Sequence, residues 1–167
     1  MDGKRRLKAR NVAYAAVIAA CYTVLTVGLA PISYGPVQCR VSEALCVLPY
    51  FTVSAVPGLF IGCLLSNALV GAPIYDVVFG SLATLLAALA TRAMRARCSK
   101  YLAPLPAVAV NGLMIGAVLK YAYGVPVPLW TACAYVAVGQ VVACFGLGIP
   151  LLLVTERFRK QIFGDDR

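Results

Sequence analysis

The sequence predicts an all-α integral membrane protein: a single domain over residues 1–167 in which six transmembrane helices pack as a bundle, one of them short or broken, with both termini cytoplasmic. Three observations lead there. Of 167 residues, 62% are hydrophobic and 13% charged, against roughly 45–50% and about 25% in an ordinary soluble domain. With a mean hydropathy of +0.86, the apolar surface exceeds what one small core buries, and the excess must face lipid or other helices. The basic residues fall in stripes separated by apolar runs of membrane length, and at about 20 residues per crossing the chain has room for roughly six.

The first stripe, Lys4, Arg5, Arg6, Lys8 and Arg10, opens the chain, and residues 1–10 are expected in the cytoplasm. The apolar run 11–30 that follows is longer than the 7–15-residue core of a signal peptide and leads into more membrane sequence, so it is taken as the first span. Residues 41–70, interrupted by Pro49 and Pro57, are long for one crossing and short for two. Parity decides for two. Residues 74–91 form a clear span ending at the second stripe, Arg92, Arg95, Arg97 and Lys100; with both stripes cytoplasmic, an even number of crossings must lie between them. Segments 41–51 and 53–70 are therefore separate, the first unusually short. A short membrane segment survives only where protein or a cavity covers its free backbone groups, which points to a binding site. Residues 104–121 and 129–155 supply two more spans before the last stripe, Arg157, Arg159, Lys160 and Arg167, in the cytoplasmic segment 156–167. The outer loops are then 31–40, 71–75 and 121–128. The net charge of +9 is thereby a topology signal and no argument for nucleic acid.

Several chemistries are excluded. Without histidine there is no imidazole catalysis and no His-containing metal site. The seven cysteines lack C-x-x-C spacing and fall mostly in apolar runs, where they act as small hydrophobes. No P-loop is present. No catalytic residues, metal or cofactor are expected, and an enzyme is not.

Away from the stripes and the chain ends, the remaining charges are Arg40, Glu43, Asp76 and Lys120. All four map to the outer side, with Asn67, Asn111 and Gln140 extending the polar set inward and Tyr34, Tyr50, Tyr75 and Trp130 placed to line it. Each also has a purely structural reading. Arg40 and Glu43 can pair with each other, Asp76 can sit at a helix N-terminus, and Asn111 and Gln140 can join helices. Lys120 and Trp130 suit the membrane interface. Small residues recur four apart at Ala15/Ala19, Ala16/Ala20, Gly58/Gly62 and Gly112/Gly116, spacing that lets helices approach closely.

The stretches APISYGPVQCRVSEALCVLPYF (30–51), VPGLFIGCLLSNAL (56–69) and DVVFGSLATLLAALATRAMR (76–95), with LAPLPAVAVNGLMIG (102–116) and AYVAVGQVVACFGLGIPLLL (134–153), closely resemble the QueT family. The resemblance implies a substrate-binding S component of an energy-coupling factor (ECF) transporter in the plasma membrane. Such a six-helix bundle has an external pocket and no ATPase, and is driven by a transmembrane coupling protein and two cytosolic ATP-binding subunits. It implies a surface for the coupling protein at Ala15, Ala16, Ala19 and Ala20. The implied ligand is a 7-deazaguanine queuosine precursor in its 7-cyano or 7-aminomethyl form, or queuine. Glu43 is then the first choice, and Asp76 the second, to accept the N–H and exocyclic amine of its guanine-like edge. Gln38, Arg40, Asn67 and Asn111 are left to read carbonyl and ring nitrogens, and an aromatic ring such as Trp130 to stack on the base. In the family an acidic residue often stands where Gln140 stands here, so a cationic aminomethyl tail loses a partner. The alternative is a self-sufficient ion-coupled carrier of a nucleobase-like or vitamin-like solute, using Glu43 and Asp76 as proton carriers.

Overall fold

A computed structural model describes residues 2–33 and 40–163, with the side chains of 2–6 and 32 left undescribed. Among the described residues every regular element is helical: α1 (Asp2–Gly28), α2 (Ala30–Ser33), α3 (Val41–Tyr50), α4 (Ala55–Leu69), α5 (Asp76–Met94), α6 (Leu105–Tyr121), α7 (Leu129–Arg157) and α8 (Arg159–Phe163). Four stretches are long and apolar enough to cross a bilayer: Leu7–Gly28, Asp76–Met94, Lys100–Tyr121 and Leu129–Arg157. The apolar helices α3 and α4 are shorter, matching the divided 41–70 segment expected from the sequence. Their outward surfaces are apolar, with Val12, Val24, Leu69 and Leu113 exposed, as lipid requires. Helix α1 starts nine residues before the expected span, because Lys, Arg and Ala are good helix formers and extend the helix beyond the apolar run.

Helix α1 packs on α4, α4 on α5, α5 on α6 and α6 on α7, while α1 and α7 scarcely touch; α3 fills the seam and contacts α1, α4, α5 and α7. Glycines set the two closest crossings. A Cβ on Gly58 would lie 2.8 Å from the Ala15 carbonyl, and one on Gly62 would lie 2.7 Å from Tyr22 Cβ and 3.0 Å from the Ala19 carbonyl. A Cβ on Gly116 would lie 2.6 Å from Cys133 Cα. Ala15 and Ala19 are thus used inside the bundle, facing Gly58 and Gly62, whereas Ala16 and Ala20 point outward.

Helix α3 is wound as a 3₁₀ helix. At about 2.0 Å rise per residue its ten residues climb about 20 Å, where an α-helix would climb about 15 Å. Proline positions follow local rules. Pro57 and Pro106 sit in the first turns of α4 and α6, where no helical N–H is missed. Pro150 lies inside α7 just after a π-helical turn, Val142–Leu147, which takes up the disturbance. A second π turn, Asp76–Gly80, opens α5. Gly71, at φ +67°, closes α4 with Gly71 N–H to the Ala68 carbonyl (3.2 Å) and Ala72 N–H to the Asn67 carbonyl (2.9 Å), a Schellman cap that only glycine adopts without strain.

Candidate functional site

The buried charged and amide side chains gather where the C-terminal halves of α1 and α4 meet the start of α3 and α5 and the middles of α6 and α7, while Ser54, Thr91 and Thr155 are buried toward the other end. That end also carries Arg92, Lys100 and Arg157. Glu43, in the first turn of α3, is 3% exposed. It accepts a hydrogen bond from the Tyr22 hydroxyl (2.5 Å) on one oxygen and a long one from Asn111 Nδ2 (3.5 Å) on the other. Asn111 also donates to Gln140 Oε1 (3.3 Å), which receives Cys144 Sγ as well (3.3 Å). Beside them Thr26 Oγ1 bonds Ser42 Oγ (2.6 Å). A chain of polar side chains therefore crosses from α1 through α3 to α6 and α7.

The second group lies between α4, α5 and the α6–α7 turn. Asn67, fully buried, donates to the backbone carbonyl of Asp76 (3.0 Å) and to Cys63 Sγ (3.6 Å). The π turn points Asp76 into the bundle, where the Tyr123 hydroxyl donates to Oδ2 (2.8 Å) and Oδ1 is buried with no donor among the described residues. Arg40, 5% exposed, stands between the groups: its guanidinium lies 3.9 Å from Cys63 Sγ and its charge acts on both Glu43 and Tyr123. A buried carboxylate oxygen without a donor costs free energy and is open to a ligand N–H.

Burial and the bond to Asp76 push the Tyr123 phenol well above its ordinary value. Its neutral form is thus favoured by the fold, and the stabilisation is present below the unfolded value of about 10 and fades as pH rises through the higher folded value. Tyr123→Phe is expected to cost about 1 kcal/mol, discounted because the ring is 41% exposed. Melting curves of the two proteins should differ by a constant amount from neutral pH to about pH 10 and converge above it.

Arg40, Glu43, Asn67, Asp76, Asn111 and Gln140 are brought together; Gln38 and Tyr34 lie outside the described residues. Trp130 is not among them. It sits in the first turn of α7, 74% exposed, and takes no part in the cluster. Tyr50 is also displaced, to the basic end, because α3 runs away from Glu43 and ends where Pro49 accepts a bond from Arg92. Tyr75 is half exposed and Lys120 half buried. Tyr22, Thr26, Ser42, Cys63, Cys144 and Tyr123 were not expected here. The signal for two of them is their spacing: Tyr22 and Thr26 are four apart in α1, so both project from the face that carries Ala15, Ile18 and Ala19.

An apolar helical bundle with four stretches long enough to cross a bilayer, and a buried, mutually bonded polar cluster toward one end, defines a multi-pass membrane protein. The QueT transporter profile matches residues 12–157, and the chain belongs to the QueT transporter family. The chain is also similar to "Queuosine precursor transporter QueT" of Lactococcus lactis subsp. cremoris (strain MG1363), 39% identical over 84 residues, 49% of each chain. The match spans about half the length of that relative. No solved structure matches.

Proposed function

We propose that the chain is the substrate-binding S component of an ECF transporter and that its cargo is a 7-deazaguanine queuosine precursor. The observation that carries this reading is the pair of buried carboxylates, Glu43 and Asp76, at one end of the bundle. A 7-deazaguanine presents an N–H and an exocyclic amine side by side, and one carboxylate accepts both. Glu43 suits this because its bond from Asn111 is long and readily exchanged; Asp76 Oδ1 offers a second acceptor. Arg40, Asn67, Asn111 and Gln140 are assigned to the ring carbonyl and nitrogens, and Gln38, two residues before Arg40 in the sequence, is assigned with them.

The six crossings and the cytoplasmic placement of both termini rest on the basic stripes, and the cell membrane is the corresponding location. Energy comes from a transmembrane coupling protein and two cytosolic ATP-binding subunits. The coupling protein docks along an apolar groove of about 630 Å³ between α1 and α4, on the outward stripe of Ala16 and Ala20 edged by Ala15 and Ala19.

The test is a ligand panel followed by reconstitution. Purified protein should bind 7-cyano-7-deazaguanine, its 7-aminomethyl form or queuine more tightly than guanine, and vesicles should accumulate the ligand only with the coupling and ATP-binding subunits and ATP. Failure to bind any deazaguanine removes the substrate assignment. Uptake by the chain alone replaces the S-component reading with an ion-coupled carrier.

A further inference from the structure

At the basic end a cavity of about 360 Å³ opens between α1, the α3–α4 turn and α5, lined among others by Asn11, Thr52, Ser54, Arg92, Arg95 and Phe163. At about 30 Å³ per water it has room for a charged headgroup. Its charge is one-sided. Arg95 and Arg159 both stand close enough to Arg92 to repel its charge, and among the described residues Arg92 makes a long bond to the Pro49 carbonyl, 3.4 Å. Among the described side chains, the carboxylate at this end belongs to Glu156, which is bound to Lys100 at 2.6 Å. The N-terminus of α4 also meets the cavity. Ser54, its N-cap, makes no side-chain capping bond, so its hydroxyl and the positive end of the helix add to the arginines.

The cavity runs into the apolar groove between α1 and α4: Asn11, Val53 and Ser54 line both, and beyond them the groove is walled by Val12, Pro57, Ile61 and Leu65. A cationic, hydroxyl-lined cavity at the end of membrane helices continues directly into an apolar trough along them. We propose that this bipartite site binds an anionic phospholipid, with its phosphate between Arg92 and Arg95 and an acyl chain in the groove. Charge selects the headgroup, and the groove distinguishes a lipid from a free phosphate. Where the coupling protein docks as proposed above, it displaces the acyl chain; the lipid site itself does not depend on that reading.

The test uses the full chain in detergent, with lipid retention read by native mass spectrometry and melting temperature. Phosphatidylglycerol should be retained and should raise the melting temperature, and phosphatidylcholine should do neither. Arg92→Gln with Arg95→Gln should reduce phosphatidylglycerol retention at least tenfold, whereas Arg97→Gln, on the exposed surface outside the cavity, should leave it unchanged. If the double variant does not fold, Arg95→Gln alone keeps the Arg92–Pro49 bond and should show the same direction. Inorganic phosphate and glycerol 3-phosphate, which lack an acyl chain, should compete only weakly. Equal retention of both lipids, an equal loss in Arg97→Gln, or full competition by inorganic phosphate would each overturn the lipid site, the last by reassigning it to a soluble anion.

Discussion

Glu43→Gln is expected to weaken 7-deazaguanine binding by about 10- to 150-fold, the equivalent of the roughly 1.5–3 kcal/mol carried by a charge-assisted hydrogen bond. The substitution preserves shape but removes a negative acceptor and turns an amide N–H₂ toward the ring N–H and exocyclic amine, which are both donors. Stability should move differently. The carboxylate is buried with two hydrogen-bond donors from Tyr22 and Asn111, and a neutral amide costs less to bury than a charge, so the empty protein should melt at the same temperature or higher. Isothermal titration beside a melting curve separates the two effects. Unchanged affinity would mean that Asp76, not Glu43, reads the base, and Asp76→Asn should then show the loss instead.

The largest loss of stability should come from Gly116→Ala. The added carbon would lie 2.6 Å from Cys133 Cα and 2.8 Å from its backbone nitrogen, so no side-chain rotation relieves the contact and α6 must separate from α7. Overpacking of this kind costs about 1–3 kcal/mol, at the upper end here because backbone moves. Gly62→Ala should combine two faults, since its Cβ would meet Tyr22 Cβ at 2.7 Å and displace the hydroxyl that holds Glu43. Gly146→Ala, with nothing within 4 Å, is the control and should be neutral or slightly stabilising. Thermal unfolding in one detergent ranks the three; a Gly116→Ala protein as stable as Gly146→Ala would show that the α6–α7 crossing is looser than described.

Helix positions are legible in this chain because the bilayer imposes a length and the basic stripes mark where apolar runs must stop. The polar residues are legible for a related reason: Arg40, Glu43, Asn67, Asp76, Asn111 and Gln140 stand out against an apolar background too costly to leave them facing lipid. What could not be read is set by pitch and packing. Whether residues 41–50 wind at 3.0 or 3.6 residues per turn depends on the helices around them, and that winding decides that Tyr50 ends beside the arginines rather than near Glu43. The π turn at Asp76 rotates the carboxylate inward in the same way. Tyr22 and Cys144 read as ordinary apolar-helix residues until α3 is in place between them. Trp130 is a large aromatic on the expected side, yet its place in the first turn of α7 leaves it facing outward.

The seam filled by α3 also has a temporal meaning. During synthesis residues 41–50 emerge before α5, α6 and α7 exist, so Glu43 at first has Tyr22 beside it but neither Asn111 nor the carbonyl contact from Cys144, which is 101 residues further along. Contacts of such long sequence separation form late and slowly. The short helix is therefore among the first segments made and among the last to be enclosed, and its polar cluster is completed only when the final long helix arrives.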